Sequence, residues 1–216
     1  MRLSLVASAL SIVLLAFCAI TLLPVVMACI EAEYWSTLPF IVASLVAGSL
    51  GLILRWYGLT NRNYNSLKRN EGLLVVTLTW LVCSLISAIP YLFFDLGFID
   101  ALFESVSGIT TTGATILSDF SHYSKTFFFW RALTQWLGGM GIIVLFVAIL
   151  PQFGVAGRKI FFAEAPGPIE EKVTPRITHT AKALWLVYLL LTCLEIFVLN
   201  MAGMPLYDAV CNSLTT

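Results

Sequence analysis

"SVSGITTTGATILSDF", residues 105–120, places four threonines and a glycine at 110–115 in a chain that is 59% hydrophobic. The stretch holds no lysine or arginine, and its one acid, Asp119, lies past the threonines. Just before it, Ile99–Ile109 is an apolar segment too short to span a bilayer, which takes about 20 apolar residues in a helix. The pattern reads as a half-helix that enters the membrane and returns as irregular backbone. Such backbone is tolerated at membrane depth only where it is buried in protein or lines a water-filled cavity. A returning strand exposes carbonyl oxygens, and converging carbonyls can replace the hydration shell of a cation. Thr110, Thr111 and Thr112 add hydroxyls without adding charge. Gly113 permits a positive φ, which helps carbonyls turn towards one axis. The half-helix would point its negative C-terminal end at the same place. Taken from these residues alone, a polar turn in an outer loop explains the stretch equally well.

A partial repeat favours the filter. Phe103-Glu104-Ser105-Val106 resembles Tyr207-Asp208-Ala209-Val210, 104 residues further on, and at that offset Thr111-Thr112 meets Thr215-Thr216. Repeats within membrane transporters often mark the pathway at their interface. One strand cannot surround an ion, so Thr215 and Thr216 read as the start of a second filter strand.

The rest of the chain sets the class. Only 11% of its 216 residues are charged and mean hydropathy is +0.93, whereas a soluble domain carries roughly 25% charged residues. An integral membrane protein is the expectation. Net charge is zero, which gives no electrostatic basis for nucleic-acid binding. Five apolar runs are long enough to span: Leu3–Ile30, Leu38–Tyr57, Leu73–Phe94, Phe127–Leu150 and Ala181–Met201. The first is about twice a signal-peptide core, which argues for a retained helix. With the N-terminus in the cytoplasm, ten of the twelve basic residues fall inside and only Lys125 and Arg131 outside. Glu31, Glu33, Asp95, Asp100, Glu104, Asp119 and Asp208 then fall outside, an asymmetry that obeys the positive-inside rule.

Other features are weighed the same way. Ala43, Ala47 and Gly51 form a small-residue face suited to close helix packing. Gly138-Gly139-Met140-Gly141 implies either a bend or close packing. Arg131, near the outer end of the fourth run, is expected to snorkel to the interface, with pairing to Glu104 or Asp119 as the alternative. Glu195 is an ionisable group within a span and so a functional candidate. The five cysteines lie far apart in apolar runs and read as small buried hydrophobes. His122 and His179 have no partner at ligand spacing. No paired carboxylates, nucleophile–base pair or phosphate loop marks an enzyme.

The sequence also resembles a known family. "FESVSGITTTGAT" (103–115), "RALTQWLGGMGIIVLFVAILP" (131–151), "AEAPGP" (163–168), "TPRITHTAKALWLVYLLLTCLE" (174–195) and "LYDAVCNSLTT" (206–216) resemble the Trk/Ktr potassium-uptake family, most closely its TrkH branch. The resemblance implies an all-α membrane protein with five transmembrane helices and re-entrant pore half-helices, in potassium-channel-like helix–pore loop–helix repeats. Residues 1–60 would be an N-terminal helix pair, 70–151 the first repeat, 152–180 a cytoplasmic connector and 181–216 the start of a second, incomplete repeat. It further implies potassium bound by backbone oxygens at Thr110, Thr111, Thr112 and Gly113, with Thr111 and Thr112 foremost. A homodimer in the bacterial inner membrane, working with a cytosolic nucleotide-binding TrkA-like regulatory subunit, is implied too. Channel-like flow and proton- or sodium-coupled symport both remain open. The family carries four repeats, so the chain reads as a fragment or truncated frame, and a non-conducting membrane interaction protein is the alternative.

Overall fold

In a computed structural model, the described residues are 2–58, 69–120, 122–141 and 173–216, the side chains of residues 69 and 173–180 excepted. The expected fourth span, Phe127–Leu150, lies partly outside them, and most of the 152–180 connector does too. The described segments form helices α1 (Leu3–Ile20), α2 (Leu23–Ile30), α3 (Thr37–Gly58), α4 (Arg69–Leu92), α5 (Phe98–Ile109), α6 (residues 125–141), α7 (Val173–Met201) and α8 (Leu206–Thr215). Four stretches are long and apolar enough to cross a membrane: Leu3–Ile30, Tyr34–Gly58, Asn70–Leu92 and Ala181–Met201. The chain is therefore a multi-pass membrane protein.

The first apolar run is two helices rather than one. Pro24 sits in the first turn of α2 and has no N–H to give the carbonyl four residues back, so the ladder stops and restarts. Thr21 occupies the break, its hydroxyl donating to the Cys18 carbonyl at 2.8 Å. Helix α7 begins at Val173, inside the stretch expected to be connector. Pro175 is tolerated there because first-turn N–H groups have no helical partner.

Tertiary packing falls into two units that divide between Gln135 and Trp136. In the first, α1 lies against α3 through the small face expected from sequence. Ala43 and Ala47 are fully buried, and the Ser44 hydroxyl donates to the Cys18 carbonyl at 3.0 Å. A methyl group on Gly51 would meet Leu15 at 3.1 Å, so glycine sets how close the two helices come. An aromatic cluster ties α1, α3, α4 and α6. Phe40 packs edge-on to Trp130 at 5.7 Å, Tyr91 and Phe94 pack edge-on to Phe127 at 5.1 and 5.2 Å, and Phe17 closes on Trp130 at 6.2 Å. The buried Trp130 indole donates to the Ser87 carbonyl at 3.2 Å, which meets the polar need of its ring.

Two polar fastenings fix which helix ends share a side. Arg2 forks onto the buried Glu71 carboxylate, with Nε 3.2 Å from Oε1 and an Nη 2.9 Å from Oε2. This pairing raises the Arg2 pKa further. It puts the starts of α1 and α4 together. At the other end, Glu33 caps α6, accepting from the Lys125 and Thr126 amides at 3.0 and 3.1 Å and from the Thr126 hydroxyl at 2.6 Å. Those amides are donors that a helix start leaves unpaired, and a carboxylate also suits the positive end of the helix dipole. Lys125 Nζ reaches Glu31 at 2.7 Å.

In the second unit, the end of α6 packs on α7. The Trp136 and Tyr188 rings stack at 5.6 Å, and the Trp136 indole donates to the Thr192 hydroxyl at 3.1 Å. A methyl group on Gly139 would lie 2.6 Å from Tyr188 Oη, so the glycine run serves close packing here. Glu195 is half-buried on α7. All five cysteines are free, and they depart from expectation in burial, since only Cys83 is buried. Much of α7's apolar surface is open in this chain, as at Leu186 and Phe197.

Candidate functional site

Helix α5 ends at the threonines through a specific device. The Thr111 amide donates to the Gly108 carbonyl at 2.9 Å and the Thr112 amide to the Ser107 carbonyl at 3.0 Å. That pair of bonds closes the helix in a Schellman motif. The motif needs a left-handed residue, and Thr111 supplies it at φ 57°. For a β-branched residue this is a strained conformation. Gly113 follows at φ 72°, where glycine carries no such cost.

The backbone beyond Thr111 runs out as an exposed, non-helical strand. Among the described residues nothing donates to the carbonyls of Thr110, Thr111 or Thr112. The Thr110 and Thr112 hydroxyls lie 2.8 Å apart, and that of Thr110 also donates to the Val106 carbonyl at 2.7 Å. The Gly113 carbonyl is different, because it accepts from Arg131 at 3.0 Å.

Behind the strand stands a buried ion pair. Glu104, fully buried on α5, accepts from Arg131 Nε at 2.9 Å through Oε2. Its Oε1 accepts from the Thr115 hydroxyl at 2.6 Å and from the Ile116 amide at 2.8 Å. One Arg131 Nη spans the Gly113 and Ala114 carbonyls at 3.0 and 3.1 Å. The Ser107 hydroxyl donates to the Ala114 carbonyl at 2.6 Å, and that of Ser105 anchors α5 to the Ser84 carbonyl of α4. The snorkelling expected of Arg131 is not what occurs. A buried carboxylate 27 residues away offers a charged partner that outcompetes an interface. Of the two acids given as the alternative, Glu104 is the partner.

Close approach of α5 and α6 makes this possible. A methyl group on Gly108 would fall 2.5 Å from Thr134 Oγ1. Gln135, nearly buried, lies behind Gly113, and its Oε1 has no partner among the described residues. Beside the strand, a cleft of about 380 Å³ is lined by Asp95, Asp100, Asp119, His122 and neighbours.

The C-terminal copy keeps the element type but not its detail. Thr215 is the last residue of α8, and Thr216 follows it as cap, with its amide donating to the Asn212 carbonyl at 3.1 Å. Asp208 falls in the first turn of α8, whereas its counterpart Glu104 lies midway along α5.

The chain is thus a helical multi-pass membrane protein in which a short helix feeds a strand of open carbonyls. The family model TrkH, described as cation transport protein, matches residues 39–216. The chain belongs to this family. It is 47% identical over 175 residues to the Trk system potassium uptake protein TrkH of Salmonella typhimurium, covering 79% of this chain and 36% of that protein. It is 43% identical over 166 residues to the Trk system potassium uptake protein TrkG of Escherichia coli, covering 74% and 34%. The crystal structure of the potassium transporter TrkH from Vibrio parahaemolyticus superposes with a TM-score of 0.82 at 33% identity, over 99% of this chain and 42% of that one. The chain thus spans little more than a third of the length of those two uptake proteins.

Proposed function

We propose that this chain forms part of the potassium-translocating membrane subunit of a Trk-type uptake system, with potassium as the transported ion. The observation that carries this is the strand at residues 110–112, three carbonyls without a donor among the described residues, held open at the end of α5. The short helix aims its negative end at that strand, which favours a cation there. Carbonyl oxygens without a protein donor are the ligands that stand in for water around a potassium ion. Thr110, Thr111, Thr112 and Gly113 are the binding positions, with Thr111 and Thr112 foremost. Thr215 and Thr216 open a second filter strand. The Gly113 carbonyl, already engaged by Arg131, contributes least. The acidic cleft beside the strand raises the local cation concentration.

The architecture that fits this function has five transmembrane helices, α6 entering the fourth of them, and α5 and α8 as re-entrant half-helices. Residues 1–60 are the N-terminal pair, 70–151 one complete repeat, 152–180 a cytoplasmic connector and 181–216 the opening of the next repeat. The N-terminus is cytoplasmic in the bacterial inner membrane. The pairings Arg2–Glu71 and Glu31–Lys125 support the alternation of helix ends that this topology requires. The working assembly is a homodimer with a TrkA-like nucleotide-binding subunit at its cytosolic face.

The test is rubidium uptake by cells that depend on the native gene product for potassium. Gly113→Asp is expected to abolish uptake or its discrimination against sodium while the protein still reaches the membrane. Unchanged uptake and unchanged discrimination would remove the filter assignment.

A further inference from the structure

The geometry points to Glu104 and Arg131 as the pair that sets the ion specificity of the strand at 110–113, an inference that rests on the filter reading of that strand. The two side chains act from behind it as positioning residues and touch no ion. Glu104 Oε1 holds the Thr115 hydroxyl and the Ile116 amide, and Arg131 holds the Gly113 and Ala114 carbonyls. Their mutual 2.9 Å contact joins these grips into one brace along residues 113–116. The brace occupies the carbonyls just past the threonines and leaves those of Thr110, Thr111 and Thr112 free.

Two physical arguments connect the brace to specificity. Thr111 sits at φ 57°, and a strained residue keeps such a conformation only when its surroundings over-determine it. Released, the strand would relax and its carbonyls could close on a smaller ion. The second argument is electrostatic. An uncompensated guanidinium this close would repel a cation, and the buried Glu104 carboxylate cancels it. The fork also matters. Arg131 engages Glu104 and two carbonyls through different nitrogens of one rigid plane, which a lysine ammonium cannot do.

The variants separate these effects. Arg131→Lys keeps the charge and loses the fork. It is expected to lower the rubidium-over-sodium preference about tenfold, the scale of one hydrogen bond to a charged group, with uptake per folded protein less affected. Glu104→Gln keeps the shape and exposes the Arg131 charge, so both preference and uptake should fall. The double variant should be no worse than the worse single, since both break one brace. Thr115→Val, at an exposed position, removes one grip and should give a smaller loss of preference.

Rubidium uptake, its competition by sodium, and protein abundance in the membrane are measured for these and for Gly113→Asp. Wild-type preference in Arg131→Lys and Glu104→Gln, with Gly113→Asp altered, overturns the brace and leaves the filter standing. Wild-type preference in all of them overturns the filter itself. Should Arg131→Lys and Glu104→Gln fail to accumulate, Thr115→Val decides. An unchanged preference there marks the pair as a folding element alone and overturns the inference.

Discussion

Replacing Gly108 with alanine tests whether α5 and α6 meet as closely as the site requires. The new methyl carbon would lie 2.5 Å from Thr134 Oγ1, 3.4 Å from Thr134 Cβ and 3.9 Å from the Arg131 carbonyl. Unstrained carbon–oxygen contacts need about 3.3–3.6 Å, so the hydroxyl must retreat by about 1 Å. Thr134 is fully buried, and its hydroxyl donates to the Arg131 carbonyl at 2.8 Å. It cannot swing away without giving up that bond, which is worth about 1 kcal/mol. Overpacking a buried contact costs about 1–3 kcal/mol, and alanine returns about 0.5–1 kcal/mol over glycine within a helix. The net expectation is a loss of about 2 kcal/mol. Thr134→Ala alone should lose about 1 kcal/mol for its hydrogen bond. In the double variant the clashing atom is gone and only ordinary contacts remain, so it should be no less stable than Thr134→Ala. Unfolding of the purified proteins in mixed detergent micelles gives the four values of the cycle. Losses that add within about 0.5 kcal/mol, the behaviour of independent sites, would refute the packing argument.

Glu33→Ala should cost about 1–2 kcal/mol in the same assay, because the Lys125 and Thr126 amides lose their acceptor and the α6 dipole its counter-charge. Thr111→Gly relieves a left-handed β-branched residue and should leave stability equal or up to about 1 kcal/mol higher, while a clear loss would show that φ there is not strained. Gly139→Leu should destabilise α6 against α7 by driving into Tyr188, and a fall in the unfolding midpoint is the check. Cysteines placed at Ser118 and Gly72 should react with an impermeant thiol reagent from opposite sides of the membrane. Labelling of both from one side would break the proposed topology.

What could be read from sequence follows a physical line. Spans and small-residue faces are properties of composition and period, so α3 and its packing face were legible at Ala43, Ala47 and Gly51. A short helix was legible at Ile99–Ile109 because length alone excluded a span, and the observed helix, Phe98–Ile109, differs by one residue. The break at Thr21 was missed although Pro24 was in plain view, since hydropathy is blind to a missing N–H. The fate of Arg131 was undecidable from position, because snorkelling and pairing look alike until Glu104 is known to be buried 27 residues away. The strain at Thr111 was also out of reach. Glycine was expected to supply the positive φ, and Gly113 does, but a threonine two residues earlier makes the first turn. The cysteines misled because an apolar neighbourhood in sequence says nothing about which face of a helix a side chain occupies.

The carboxylates that receive α6 have a consequence for how the protein is made. Lys125 and Arg131 burden α6 with two positive charges near its start, and a charge within a spanning segment opposes insertion into lipid. Glu31, Glu33 and Glu104 all precede α6 in the chain and leave the ribosome earlier. Each of the two cations therefore meets a partner already delivered to the membrane. Insertion of α6 becomes the step at which the turn bearing Glu31 and Glu33, the strand after α5 and α6 itself lock together, so a fault in any one of those acids should first appear as a defect in biogenesis.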